Sequence, residues 1–356
     1  MILLRTPVVP DSCPALTAEQ RQFAATLHAL LSEADTPGAA RSWARGDHGP
    51  GLALWRALAE AGVTALAVPP SADGDGAGPL DVVVACEELG HHPVPGPVAE
   101  TVAAVPVLLS SLRNDRVEGV ADGVTTELTE LVDAVVEGRL LATLCAPPAL
   151  ALAVDADVAG VAVLLDPDSG SVQLARPWPG QPAQRSVDPT RRLFRLEPTR
   201  LLAADAAAGP RTAAALELGT LAAAAQVLGA GRALLEIAVR YAAQRHQFGR
   251  PIGSFQAVQH QLADVLIGLE FARPLVHAAA HALACQSPTA PRDVSAAKVA
   301  CSDAAERAAR VALQVHGAIG YTLEHDLGLF LTKVRALLPL WGTRTAHRDR
   351  LLAALR

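Results

Sequence analysis

The amino-acid sequence predicts a mainly α-helical protein with a small β region in the middle of the chain. Alanine and leucine, both good helix formers, dominate the 356 residues, of which 51% are hydrophobic and only 3% aromatic. Helical spacing of apolar residues occurs towards both ends, whereas short apolar runs cluster between 140 and 196. We therefore predict an N-terminal helical domain (1–138), a reduced β domain (139–205) and a C-terminal helical bundle (206–356).

Capping residues mark two helices of the N-terminal domain. Thr17, followed three residues later by Gln20, has the pattern of a capping box. Pro79 is typical of the first residue of a helix, and Gly90 of the residue that follows the last turn. We therefore expect one helix to begin after Thr17 and another to run over 80–89 and end at Gly90.

The middle of the chain has the pattern of short strands. Apolar runs at 140–145, 158–165, 172–174 and 193–196 are the length of single strands. The segment 166–170, Asp-Pro-Asp-Ser-Gly, is typical of a turn and separates two of these runs. The sequence therefore predicts a small β region of limited extent.

Long helices are predicted again after residue 211, and four of them are expected to form a bundle. Gly317 is expected to close the third of these helices in a left-handed conformation. Gly229 and Gly231 lie inside the first helix with no strand before them, so they indicate close helix packing rather than a dinucleotide-binding turn. The predicted helices span 211–245, 254–285, 292–316, 323–338 and 343–355.

Charge and cysteine content exclude several classes of protein. The formal net charge is -6 and the basic residues are scattered, which argues against nucleic-acid binding. Charged residues make up only 19%, so we expect partner subunits to cover much of the surface. The five cysteines include no C-x-x-C pair, so we predict no metal site and no disulfide framework.

One stretch, 213–231, is apolar enough to suggest a membrane span. It contains Glu217 and Gln226, and a helix buried among other helices fits it better. The first residues show no secretory pattern. We therefore expect a cytoplasmic protein that does not contact a membrane.

Two segments carry a specific pattern. Residues 240–260 read RYAAQRHQFGRPIGSFQAVQH, and residues 314–327 read QVHGAIGYTLEHDL. Together with residues 54–96 they closely resemble acyl-CoA dehydrogenases. The alanine-rich composition resembles an actinobacterial branch of that family that often works as two different subunits. The resemblance covers nearly the whole chain.

The resemblance implies a fold, a cofactor and a reaction. It implies a helical domain, a β domain and a C-terminal four-helix bundle, with FAD between the last two and reaching a neighbouring subunit. The implied reaction is α,β-dehydrogenation of an acyl thioester, in which a carboxylate removes the α proton. Electrons would pass to an electron-transfer flavoprotein. The acyl group is open: it can be carried on CoA or on a carrier protein, and it can be a bulky steroid side chain.

The resemblance also implies which residues contact the adenosine and diphosphate of FAD across a subunit interface. Arginine suits this role because its guanidinium presents a rigid fork of donors to phosphate oxygens. An ordinary surface arginine, core packing of the phenylalanine and plain solvent exposure of the glutamines are the alternatives. Ala318 stands where the family often has a second glycine, so its methyl group would crowd the cofactor. The seven implied residues are Arg245, Gln247, Phe248, Gln256, Gln314, Gly317 and Ala318.

The catalytic base is missing from both positions that the resemblance implies. Many relatives carry a glutamate just before a Gly-Thr pair, where this chain has Trp341, and an indole cannot accept the proton. Other relatives carry it at the position of Gly219. Glu217 lies two residues away, about 200° round the helix, and is the remaining candidate. The β domain also lacks the Thr-Glu-Pro-type and Trp-x-Thr/Ser elements of relatives.

Three hypotheses follow. The leading one is a non-catalytic or half-catalytic subunit of an α2β2 acyl-CoA dehydrogenase, which lends Arg245 and the loop at Gln314 to a flavin held largely by its partner. The second is a self-sufficient acyl-CoA dehydrogenase that uses Glu217 as the base. The third is a flavin-free or non-redox protein on the same fold.

Overall fold

Helices form both ends of the chain and strands lie between them, so the predicted fold class is confirmed. The computed structural model describes residues 15–70, 74–114, 124–166, 170–204, 208–322 and 325–356. The first helices are α1 (Ala18–Glu33), α2 (Thr36–Ala44), α3 (Gly49–Glu60), α4 (Pro79–His91), a π-helical turn (Glu100–Ala104), α5 (Val105–Asn114) and α6 (Val124–Val136). The strands are β1 (Ala142–Cys145), β2 (Ala153–Val154), β3 (Val161–Leu165), β4 (Val172–Pro177), β5 (Gln184–Arg185), β6 (Arg192–Phe194) and β7 (Leu196–Ala203). The C-terminal elements are α7 (Ala208–Gln244), β8 (His246–Gln247), β9 (Arg250–Pro251), α8 (Gln256–Ala284), α9 (Ala290–His316), α10 (Leu327–Leu337) and α11 (Arg344–Ala354).

The predicted capping box is present at the start of α1. The hydroxyl of Thr17 accepts a hydrogen bond from the backbone N–H of Gln20 at 3.2 Å, and the Gln20 side chain accepts one from the backbone N–H of Thr17 at 3.1 Å. Pro79 is the first residue of α4, as predicted. The prediction that Gly90 ends this helix was wrong, because α4 continues through Gly90 to His91.

Close packing of α4 on α7 explains the glycine at position 90. A Cβ atom there would lie 2.0 Å from the carbonyl oxygen of Gln226 on α7. A Cβ atom at Gly229 would lie 1.9 Å from the carbonyl oxygen of Glu87 on α4, and one at Gly231 would lie 2.8 Å from a methyl group of Leu269. The glycines of α7 therefore serve close helix packing, as predicted.

The long helix α7 lies at the centre of the bundle, between α4, α8 and α9. Its span Gly209–Gln244 is long and apolar enough to cross a membrane, but 78% of its most apolar 18-residue window is buried inside the protein. Gly317 follows α9 with φ 62° and ψ -136°. The φ angle is positive, as expected, but the ψ angle lies outside the left-handed helical region.

In the described residues, strands β1 to β7 form two small sheets, and β8 pairs with β9 in a separate hairpin. One has the order β1-β3-β4-β7, with β1 and β3 parallel and the other pairs antiparallel, and the other has the order β2-β6-β5. Residues 167–169 of the predicted turn lie outside the described residues. The hydroxyl of Thr101 donates to the carbonyl oxygen of Ala142 at 2.9 Å and so joins the π-helical turn to β1.

Two buried lysines hold α10 in place. The ammonium of Lys298 on α9 donates to the carbonyl oxygen of Leu337 at 3.0 Å, and that of Lys333 on α10 donates to the carbonyl oxygen of Val94. Burial lowers the pKa of both lysines to about 8. The first bond joins α9 to α10 within the bundle, and the second connects the bundle with the segment after α4.

Candidate functional site

The first group of predicted cofactor residues lies on an exposed hairpin directly after α7. Arg245 is exposed, and within the described residues its side chain makes no ion pair. Gln247 lies in β8, and Phe248 at the tip is 92% exposed. Phe248 has φ 53° and Gly249 has φ 79°, the positive values that a tight reversal requires. The hairpin therefore presents a cation and an aromatic ring to solvent.

The second group lies where α9 ends. Gln314 is exposed on the last turn of α9, and Ala318 is exposed in the 3₁₀ turn Gly317–Tyr321. A Cβ atom added to Gly317 would meet nothing within 4 Å, so the backbone here is open to a ligand. The methyl group of Ala318 is also directed away from the core of this chain.

A ring stack brings the two groups together. Tyr241 on the last turns of α7 stacks on His316 at the end of α9, with ring centroids 4.2 Å apart. Phe255 packs edge-on against Phe248 at 6.2 Å and precedes Gln256, the exposed first residue of α8. We call the resulting patch the loop surface, which comprises Arg245, Gln247, Phe248, Gln256, Gln314, Gly317 and Ala318.

The two positions that relatives use for the base touch each other in this protein. Trp341 is 2% exposed and has φ 60°. A Cβ atom at Gly219 would lie 2.3 Å from Cη2 of its indole. The backbone carbonyl of Trp341 lies 2.9 Å from Nε2 of His347, which holds the indole in place. The space beside Gly219 is therefore filled by an aromatic ring.

Glu217 points towards α11. Its Oε1 accepts a hydrogen bond from the guanidinium of Arg350 at 2.6 Å, while its buried Oε2 has no partner. Burial raises the pKa of Glu217, and Arg350 partly offsets that rise. Glu217 thus has a raised pKa, and its carboxylate forms an ion pair with Arg350 of α11.

Sequence reasoning missed a second buried carboxyl group, Glu100 in the π-helical turn. Glu100 is 2% exposed, and its Oε1 has no hydrogen-bond partner. Burial raises its pKa, whereas Arg191 and the Trp341 indole favour the ionised form. The signal was a lone acidic residue within the apolar run 98–109, and π-helical turns are frequent at functional sites.

More charged groups are buried beside Glu100. Arg191 acts electrostatically on Glu100, Asp155 and Lys333. Burial raises the pKa of Asp155 to about 6. Glu100, Asp155, Arg191 and the Trp341 indole are therefore buried within interaction distance of one another or of Arg191.

Two cavities lie elsewhere. One, of about 520 Å³, lies between α1, α4, α7 and α10, and its walls include His28 and Tyr241. The other, of about 360 Å³, lies between α9 and α10 and includes Glu306. Neither is lined by Glu217 or Trp341.

Residues 210–355 match the C-terminal domain of acyl-CoA dehydrogenases, and residues 17–110 match the N-terminal domain. The chain is 35% identical over 320 residues to the acyl-CoA dehydrogenase IpdE2 of Mycobacterium tuberculosis, an alignment that covers 88% of this chain and 90% of that protein. The chain belongs to the acyl-CoA dehydrogenase family. It therefore belongs to a family of FAD-dependent oxidoreductases.

Two solved structures share the fold. The ChsE4-ChsE5 complex from Mycobacterium tuberculosis matches with a TM-score of 0.75 at 23% identity, covering 96% of this chain and 98% of that one. The Tcur3481-Tcur3483 steroid ACAD matches with a TM-score of 0.76 at 24% identity, covering 95% and 97%. The small β region and the bundle therefore have the family arrangement.

The two halves of FAD fit this acyl-CoA dehydrogenase fold unequally. The loop surface has the chemistry for a diphosphate, because it combines an exposed guanidinium at Arg245 with an open backbone at Gly317. The interior around Trp341 does not fit a second aromatic ring system, since its indole already packs on Gly219.

Proposed function

We propose that this chain is the non-catalytic subunit of an α2β2 acyl-CoA dehydrogenase. It contributes contacts with the diphosphate and adenosine of FAD across a subunit interface, and the partner subunit supplies the base and most of the flavin site. The observation that carries this proposal is the packing of Trp341 on Gly219, which fills both positions where relatives carry the glutamate.

The residues of the loop surface bind and orient the diphosphate and adenosine of FAD. Arg245 neutralises phosphate charge through its donor fork, and Gly317 allows backbone N–H groups to approach the same oxygens. Gln247, Gln256 and Gln314 offer amide donors, and Phe248 offers a face for an adenine ring. Bound FAD supplies the acceptor for the β hydride of the acyl thioester. The two positions where the resemblance implies a base are occupied by Gly219 and Trp341, neither of which can take the α proton.

Exposed apolar residues support assembly with a partner. Leu266, Ile267, Phe271 and Leu275 of α8 are 48%, 52%, 75% and 41% exposed in the isolated chain. A contiguous apolar helix face of this kind is typical of a subunit interface. Both solved relatives are named as pairs of proteins, and one pair is called a steroid ACAD.

These relatives guide the choice of substrate and electron acceptor. We propose an acyl thioester with a bulky, steroid-derived side chain as the substrate and an electron-transfer flavoprotein as the acceptor. We place the assembly in the cytoplasm. Steroid-CoA and simple fatty acyl-CoA thioesters, compared as substrates of the purified complex, distinguish the two classes of acyl group.

Purification of the chain alone and together with its partner tests the proposal. We expect the chain alone to lack flavin absorbance and activity, and the co-purified complex to be yellow, active and of equal subunit stoichiometry. A yellow and active homo-oligomer of this chain alone would overturn the proposal. A colourless and inactive complex would instead favour a flavin-free protein on the same fold.

Glu217 supports a second candidate function, a self-sufficient dehydrogenase. Its raised pKa and unpartnered Oε2 are properties of a general base. In that case the chain alone is active, and Glu217→Gln abolishes its turnover but leaves FAD bound. Unchanged turnover in this variant excludes Glu217 as the base.

A further inference from the structure

Three histidines and one glutamate meet where α1 packs on α4. His28 belongs to α1, Glu88 and His91 to α4, and His92 is the residue that caps α4. Each offers one ligand atom, and these four atoms all lie within 4.8 Å of one another. Nδ1 of His28 lies 2.9 Å from Oε2 of Glu88 and 3.4 Å from Nε2 of His92. The cluster lines the larger cavity.

His91 has one ring nitrogen without a partner in this cluster. Its side chain is 8% exposed, and its Nε2 lies 3.1 Å from Oε2 of Glu236, whereas its Nδ1 makes no hydrogen bond within the described residues. Leaving a buried polar atom without a partner is unfavourable, so such an atom in a folded protein calls for a ligand. Hydrogen bonding within the cluster satisfies His28 and Glu88 but leaves Nδ1 of His91 without a partner.

Neighbouring side chains hold the four groups in place. The guanidinium of Arg232 donates to Oε1 of Glu88 at 3.2 Å, which leaves Oε2 facing the histidines. Oε2 of Glu236 lies 3.1 Å from Nε2 of His91. A carboxylate behind a histidine and a hydrogen-bonded ligating carboxylate are both typical of outer-shell support in metal sites.

The ligand chemistry selects the class of ion. Imidazole nitrogens suit zinc, copper and nickel, whereas magnesium and calcium prefer oxygen ligands. Three nitrogens and one carboxylate oxygen make up a four-coordinate zinc set.

We propose that His28, Glu88, His91 and His92 bind one divalent transition-metal ion, with Zn²⁺ as the preferred ion. The ion joins α1 to α4 next to the cavity and serves a structural role. None of the four ligands belongs to the loop surface, so the metal site does not rest on the function proposed above.

Cobalt titration tests the site. The full-length chain, without a histidine tag and stripped with a chelator, is titrated with Co²⁺ while its visible ligand-field bands are recorded. We expect one Co²⁺ per chain and its displacement by one equivalent of Zn²⁺. Zn²⁺ should also raise the melting temperature of the stripped protein, because it binds only the folded state.

Variants assign the binding to this cluster. His28→Gln, at a half-exposed side chain that tolerates replacement, and His91→Phe should each lower Co²⁺ affinity by more than 100-fold, and Glu236→Gln by about 10–100-fold. His260→Gln, at an exposed histidine of α8, is the matched control and should bind like the unaltered chain.

Circular dichroism verifies that each variant is folded, and His28→Gln carries the test if His91→Phe does not fold. No saturable binding, or unchanged binding in His28→Gln, overturns the proposal.

Discussion

The loop surface and the interior around Trp341 differ in almost every physical property. The loop surface is exposed and presents an unpaired guanidinium and an open glycine backbone. The interior is packed with an indole, and Glu100 and Arg191 are buried beside it. A subunit that contributes to a site on another chain needs an exposed binding surface, but it does not need an open site of its own. Each prediction below alters one side of this comparison.

The largest effect is expected from removing the interior indole. Trp341→Ala leaves a cavity beside Gly219 and should lower the free energy of unfolding by about 3–5 kcal/mol. Trp178→Ala, at a tryptophan that is 49% exposed, is the control and should change it by less than about 0.5 kcal/mol. Denaturant unfolding of both variants measures the difference. Equal losses would mean that Trp341 is not packed as described.

The next effect concerns the loop surface. Arg245→Ala in the complex removes a charged hydrogen-bond donor, worth about 1.5–3 kcal/mol, so FAD affinity should fall by about 10- to 100-fold. The folding free energy should not change, because the side chain is exposed. Arg307→Ala, which removes an exposed ion pair with Asp264, is the control for lost charge. Fluorescence titration of the stripped complex with FAD measures affinity, and equal affinity in both variants would remove Arg245 from the site.

A methyl group at position 219 tests the contact from the other side. Gly219→Ala should cost about 1–3 kcal/mol of stability, because its Cβ would overlap the Trp341 indole. The same substitution should cost much less in a Trp341→Ala background, since the cavity accommodates the methyl group. A double-mutant cycle measures this coupling, and strictly additive losses would show that the two residues do not touch.

The smallest expected effect is on pH dependence. Burial raises the pKa of Glu100 in the folded state, so its protonated form contributes stability that is complete below the ordinary glutamate pKa of 4.5 and is lost as the pH rises through the folded pKa. Glu100→Gln stays neutral, so its unfolding free energy should fall less over this range than that of the unaltered chain. Glu60→Gln, at an exposed carboxylate, is the control. A profile of Glu100→Gln parallel to that of the unaltered chain would contradict the burial of a charged group here.

Local patterns predicted local structure well. These patterns depend on residues a few positions apart and can therefore be recognised in the sequence. They include the capping box at Thr17, the first residue of α4 at Pro79 and the course of the long helices. The prediction that α4 ends at Gly90 failed for the opposite reason. Glycine is required there because the carbonyl oxygen of Gln226 on another helix lies too close for a side chain, and no local pattern indicates that contact.

The candidate site divides in the same way. The motifs around Arg245 and Gln314 indicated the family and the loop surface, although only the Tyr241–His316 stack brings the two loops together. The burial of Glu100 was not predicted, because a charged residue in a helix is usually exposed. We predicted no metal site from the spacing of the cysteines alone, whereas the proposed ligands are three histidines and a glutamate from α1 and α4.

The sequence by itself determined the helical and strand segments, the family and the identity of the residues at positions 219 and 341, because these properties belong to residue identity and short-range spacing. Only the tertiary structure decided that Gly219 and Trp341 fill one space, that Glu100 is buried, and that His28 meets His91. Packing, desolvation and ligand geometry depend on distances between segments far apart in the chain, and folding alone sets those distances.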